Sequence, residues 1–151
     1  QQDRRIAIAD FLAFLAEHMP AMPVPAALRP LAALWLGCDD LEGTRLQDAL
    51  GLERVQTDCP AEAGYLLAER RWLVVVVDWT YHDCLPVVRR RCLESQTLLV
   101  VLGYADTLSH LDSEDLGKAD LCYLRPFDAV VAAGEIRAAL AAPARNGQVA
   151  L

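Results

Sequence analysis

The side chains able to do chemistry stand at the ends of apolar runs. Cys38-Asp39-Asp40 follows the run Leu31–Gly37, and Asp78 follows Trp72–Val77. Gly103 follows Thr97–Leu102, and Arg125-Pro126 follows Leu121–Leu124. Asp39, Asp40 and Asp78 are the donor type that Mg²⁺ takes, because that ion binds a few carboxylates and keeps its remaining waters. A metal held there would help move a phosphoryl group onto Asp78, a transfer that rests on positioning and charge neutralisation. Arg125 adds a forked guanidinium that can pair with a phosphoryl oxygen but is bulkier than a point charge.

Those run ends meet only if the runs are parallel strands, and the spacing says they are. From Leu31 onward, strand and helix patterns alternate: Leu31–Gly37, then a helix over Leu41–Leu50, then a short strand at Arg54–Thr57. A helix over Ala61–Arg70 enters from Pro60 and precedes the strand Trp72–Val77. The four consecutive valines of that strand predict burial on both faces, as in a parallel sheet. A helix over Val87–Glu94, a strand over Thr97–Leu102 and a short helix over Ser113–Lys118 come next. The strand Leu121–Leu124 and a helix over Asp128–Ala141, capped by Asp128, complete the series. Five βα units predict a doubly wound α/β domain with helices on both faces, and in such a sheet chemistry sits at the carboxyl ends of the strands. The division is 1–30, an apolar helix over 3–19 plus a linker broken by Pro20, Pro23 and Pro25; 31–142, the α/β domain; and 143–151, a polar tail.

The stretch Cys122-Tyr123-Leu124-Arg125-Pro126-Phe127, with Asp78 and the acids after the first strand, resembles the response-regulator receiver (CheY-like) family over about residues 31–142. The resemblance implies a (βα)5, flavodoxin-like five-stranded parallel sheet, a phosphoacceptor at Asp78 and acidic Mg²⁺ ligands after the first strand. Two registers stay open there. Inward placement of Leu46 and Leu50 favours the acidic pair falling on Cys38-Asp39, and the other register puts it on Asp39-Asp40. Elsewhere the chain departs from the family. A hydroxyl is wanted where Gly103 stands, and a lysine where Arg125 stands. The aromatic usual three places before that lysine falls on Cys122, with Tyr123 one step along and on the opposite face. The resemblance therefore points to a degenerate member, a pseudo-receiver that is no enzyme and signals by contact with other proteins. The alternative is a receiver phosphorylated at Asp78 with Mg²⁺. A small-ligand flavodoxin-like module ranks third, since no glycine-rich phosphate loop follows the first strand.

Composition narrows the partners. The net charge of −7 argues against a nucleic-acid surface. Apolar residues at 54% of the chain argue against disorder. Five cysteines without a CxxC pair fit a reduced, cytoplasmic protein. No signal-peptide pattern opens the chain, and Trp72–Val77 is too short to span a bilayer. Cys84 and Arg90 have the spacing of a cysteine-phosphatase loop, but Leu85-Pro86-Val87-Val88-Arg89 has no glycine to turn N–H groups inward, so the spacing is chance. His82-Asp83-Cys84 lacks a second ligand cluster and reads as a solvated loop. Arg89-Arg90-Arg91 reads as a solvated helix face, or more sharply as a dock for an acidic partner. The helix over 3–19 is apolar almost all round and predicts packing against a second copy or a neighbouring domain. A homodimer through that helix, or through the face of the fourth helix, fifth strand and fifth helix, is the expected assembly.

Overall fold

The computed structural model describes residues 8–19, 21, 31–106 and 119–142. The chain divides into two compact units, Gln1–Pro30 and Leu31–Leu151. In the first, α1 spans Ile8–His18, with Asp10 in its first turn, where a negative charge suits the helix dipole, and His18 in its last. Phe14 stacks on His18 one turn later, with ring centroids 4.6 Å apart.

The second unit is built on a five-stranded sheet of β1 (Leu31–Leu36), β2 (Arg54–Thr57), β3 (Trp72–Asp78), β4 (Leu98–Tyr104) and β5 (Leu121–Arg125). The order is β2-β1-β3-β4-β5 and every pairing is parallel. Between the strands run α2 (Leu41–Leu50), α3 (Pro60–Glu69) and α4 (Leu85–Ser95), and α5 (Ala129–Ala141) follows β5. This is the doubly wound (βα)5 arrangement that the alternating pattern predicts. The helix expected at Ser113–Lys118 and the tail 143–151 lie outside the described residues.

Strand periodicity explains the two cores. Ala33, Trp35, Val74, Val76, Val100 and Leu102 point to one face and pack with Leu46 and Leu50 of α2 and Ala132, Ala133 and Ile136 of α5. Leu34, Leu36, Val75, Val77, Leu99 and Val101 point to the other, against Ala63 of α3 and Leu85, Val88 and Cys92 of α4. Side chains alternate along a strand, so a valine run buried on both faces needs a layer of helices on each side. Burial pushes the Cys92 thiol up to about 12, which leaves it a small core hydrophobe.

Helix ends follow local chemistry. Asp40 caps α2, and Gly51 closes it in the left-handed region at φ 63. Asp128 accepts from the N–H groups of Val130 and Val131 to start α5. Two departures from expectation lie beside the strand ends. β4 runs through Gly103 to Tyr104 because it pairs with β5 to that point. The stretch after Asp78 forms a 3-10 helix, Trp79–Cys84, which leads into α4. No helix among the described residues is long and apolar enough to cross a membrane.

Candidate functional site

The site begins where β1 ends. Gly37 and Cys38 both take positive φ, 75 and 65 respectively, and Cys38 is one of two non-glycine residues among the described residues that do so. A Cβ on Gly37 would lie 2.8 Å from the Tyr81 ring and 3.1 Å from Asp78 Cβ, so only glycine lets β1 pass there. A Cβ on Gly43 would run into the Cys38 carbonyl, so α2 starts tight against the loop. The Cys38 side chain turns inward and its thiol donates to the Leu36 carbonyl at 3.8 Å. Burial first, and then the Asp78 charge, push that thiol far above its ordinary value, so it is no nucleophile. The two left-handed residues aim Asp40 back across the strand ends, where its Oδ1 also accepts from Gly43 N at 3.1 Å.

What Asp40 meets is Arg125. The Arg125 side chain is 2% exposed and lies between Asp40 and Asp78. Its Nε is 2.5 Å from Asp40 Oδ2. Its Nη2 donates to Asp40 Oδ1 at 3.2 Å and to Asp78 Oδ2 at 2.8 Å. Above it lies the Tyr104 ring, with the guanidinium carbon 4.8 Å from the centroid. Nη1 has no oxygen acceptor among the described residues. Burial raises the Asp40 carboxyl, but the Arg125 hydrogen bond and charge outweigh it and hold the group below its ordinary value. Burial likewise works against the Arg125 charge, and Asp40 and Asp78 more than offset it.

Asp78 has no idle oxygen. Its Oδ2 faces Arg125, and its Oδ1 accepts from Thr80 N at 3.0 Å and Thr80 Oγ1 at 2.7 Å. Tyr81 turns its hydroxyl to the Asp58 carbonyl at 3.0 Å. Over this arrangement opens a cleft of about 290 Å³ lined by Asp39, Asp58, Asp78, Thr80, Tyr81 and Tyr104 among others. Four aspartates border it, Asp40 included, and Arg125 is buried behind them. The Mg²⁺ implied by the resemblance does not fit these side chains as they stand. Asp39 is exposed, and the oxygens that Asp40 and Asp78 would offer are closed on Arg125. Among the described residues no three His, Cys, Asp or Glu side chains gather as a ligand set.

No family model matches the sequence, and no curated protein does. Solved structures do. A response regulator from Thermotoga maritima superposes at a TM-score of 0.58 with 17% identity, over 76% of this chain and 100% of that one. A CheY-like response regulator receiver domain from Methylobacillus flagellatus gives 0.60 and 13%, over 74% and 99%. The signal receiver domain of an HD domain-containing protein from Pseudomonas fluorescens Pf-5 gives 0.56 and 18%, over 74% and 95%. The chain has the receiver fold.

Within the receiver fold, the positions singled out from sequence fall as follows. Asp40, Asp78 and Arg125 come together, Cys38 lies beneath them, and Asp39 faces the cleft opening. Leu46 and Leu50 are buried, and Asp40 still reaches the site, because the left-handed turn at Gly37-Cys38 separates helix face from strand register. Gly103 is buried in β4 opposite Leu124 and brings no hydroxyl to the cleft. Tyr123 points away from Cys122, donates to Glu135 Oε2 at 2.6 Å and packs on Phe127 at 5.7 Å. Sequence reasoning passed over Thr80, Tyr81, Tyr104 and Asp58. A hydroxyl two residues after an aspartate is a turn signal that would have found Thr80. The other three arrive by tertiary placement. Of Arg89-Arg90-Arg91, Arg89 turns to Asp120 at 2.9 Å, whereas Arg90 and Arg91 are exposed, Arg91 lying 4.0 Å from Glu94. Cys84 and Arg90 form no phosphate loop, because α4 starts at Leu85. His82 stacks on Trp79 at 5.1 Å and pairs with Asp83 at 3.2 Å.

Proposed function

We propose that this chain is a regulatory signalling domain of receiver fold that works by protein contact and transfers no phosphoryl group. The carrying observation is that both oxygens of Asp78 are engaged, one by Thr80 and one by Arg125. A nucleophilic carboxylate needs a free oxygen in line with the phosphorus, and an anionic donor must enter a cleft of four aspartates whose neighbouring cation is already shared. The missing hydroxyl at Gly103 supports the same reading, as it removes a phosphate contact. Incubation with acetyl phosphate and Mg²⁺ is expected to leave the intact mass unchanged. A gain of one phosphoryl group that Asp78→Asn abolishes would overturn the proposal.

Contact then falls to the surface. Val130 and Val131 are 73% and 56% exposed on the first turn of α5, beside the edge strand β5 with its exposed Cys122. Adjacent exposed valines at a sheet edge suit a protein partner, either a second copy or an adjoining domain. In α1, Phe14 is exposed and offers another apolar contact. Five free thiols support a reducing, cytoplasmic setting. Sedimentation of the full chain against Val130→Asp is expected to show a loss of self-association or of partner capture. An unchanged sedimentation profile would assign contact elsewhere.

A further inference from the structure

We infer that the Arg125 guanidinium is a built-in replacement for a divalent cation, so that the cleft takes no Mg²⁺ until Arg125 is removed. The inference rests on the reading of this chain as a domain without phosphoryl transfer, and it adds what holds the acidic site together in place of a metal. Three observations carry it. The guanidinium stands between the ends of β1, β3 and β5, within 2.5 Å of Asp40 Oδ2 and 2.8 Å of Asp78 Oδ2. Both carboxylates hold their other oxygen on the protein, Asp40 Oδ1 on Gly43 N and Asp78 Oδ1 on Thr80. The Oδ2 atoms are thus aimed at one point by fixed partners, as ligands of a small hard cation must be, and a nitrogen fork fills that point. The third observation is that Arg125 is 4% exposed with Nη1 left without an oxygen acceptor among the described residues.

A buried donor left without an acceptor is costly. Here the side chain is placed by the charge of the acids and leaves part of its own hydrogen-bonding capacity unused. A metal ion entering beside it would meet a like charge at close range and would have to take oxygens already paired. Removing the guanidinium reverses both conditions. It leaves two converging carboxylates, with Asp39 and Asp58 at the rim of the same cleft. Mg²⁺ asks for few carboxylates and keeps its waters, so the vacated space suits it.

The test is titration calorimetry of MgCl₂ into the full chain, paired with thermal melts with and without millimolar Mg²⁺. Wild type is expected to give no saturable heat and no shift in melting temperature. Arg125→Met is expected to melt lower in the absence of Mg²⁺, to regain several degrees in its presence and to give a saturable heat that Arg125→Met/Asp78→Asn loses. Arg125→Lys keeps a charge and guards against misfolding; its thinner head group is expected to admit Mg²⁺ more weakly than Arg125→Met does. Saturable Mg²⁺ binding by wild type that Asp78→Asn removes would overturn the inference. So would folded Arg125→Met and Arg125→Lys chains that both ignore Mg²⁺, or an unfolded Arg125→Met chain whose circular dichroism Mg²⁺ fails to restore. The two levels fail separately: Mg²⁺ heat in wild type without a phosphoryl mass gain sinks only the cation substitution, whereas a phosphoryl gain on Asp78 sinks the reading beneath it.

Discussion

Two arginines are drawn into this sheet by aspartates, one at each end, and they do different things. Arg89 of α4 meets Asp120, the residue before β5, at 2.9 Å, with side-chain exposures of 17% and 11%. Asp120 puts its other oxygen on Leu99 N at 2.8 Å and its own N–H on the Leu99 carbonyl at 2.9 Å. That pair is one cation to one anion, with both carboxylate oxygens engaged, and it ties α4 to the amino end of the edge strand. Arg125 at the carboxyl end faces two anions, with two more acids around the cleft. Charge balance separates a strut from a site. A one-to-one pair explains itself as structure, whereas a cation shared by two anions draws three strand ends together at the cleft.

The largest effect should come from removing the shared cation. Arg125→Ala leaves two half-buried carboxylates facing each other and is expected to cost up to about 3–5 kcal/mol in urea unfolding, the range for a buried pair that loses one partner. Asp120→Ala should cost less, about 3 kcal/mol, because one charge and the Leu99 N–H are stranded instead of two charges. Mg²⁺ should restore part of the first loss and none of the second. Equal costs with equal Mg²⁺ responses would erase the distinction between the two ends.

Acid unfolding sharpens it further. The Asp40 carboxyl is lowered from 3.8, so its contribution is present above that value and is lost as the pH falls through the lower folded one. With Arg125→Met, burial of Asp40 is opposed only by backbone hydrogen bonds such as that from Gly43 N, so its carboxyl rises relative to wild type and less stability is lost on acidification. Urea midpoints followed from neutral to acidic pH should therefore fall for wild type and fall less for Arg125→Met. Arg89→Met should follow the wild-type slope. The smallest effect is expected from Thr80→Val, which removes one exposed hydroxyl from Asp78 Oδ1 and should cost at most about 1 kcal/mol.

Much of the fold was legible because it is written in period and length. The Val74–Val77 run, the cap at Asp128, the helix entry at Pro60 and the strand-helix alternation each state a local preference that the tertiary structure keeps. The acids were legible as types at strand ends, since topology alone brings those ends together. Their arrangement was not. Nothing local announces that Cys38 takes a positive φ, and that rotation decides which of Asp39 and Asp40 turns inward. Nor does sequence show that Arg125 bends onto carboxylates from β1 and β3, 85 and 47 residues away along the chain. Arg89 was read with its neighbours as a basic face for the same reason, its partner Asp120 lying on another element.

The position of Arg125 as the last residue of β5 bears on the sheet as an assembly. β5 is an edge strand, short and paired on one side only by β4. Such strands are prone to slide along their neighbour or to be exchanged between molecules, and a slide by one residue turns every side chain to the opposite face. Here Arg125 stands directly across from Tyr104, whose ring covers it, and its guanidinium is fixed by acids from strands further in. A one-residue slip would carry that charge into the opposite face of the sheet, against apolar packing and without an anion. The same ion cluster that closes the cleft thus locks the alignment of the outermost strand and guards the sheet against misassembly at that edge.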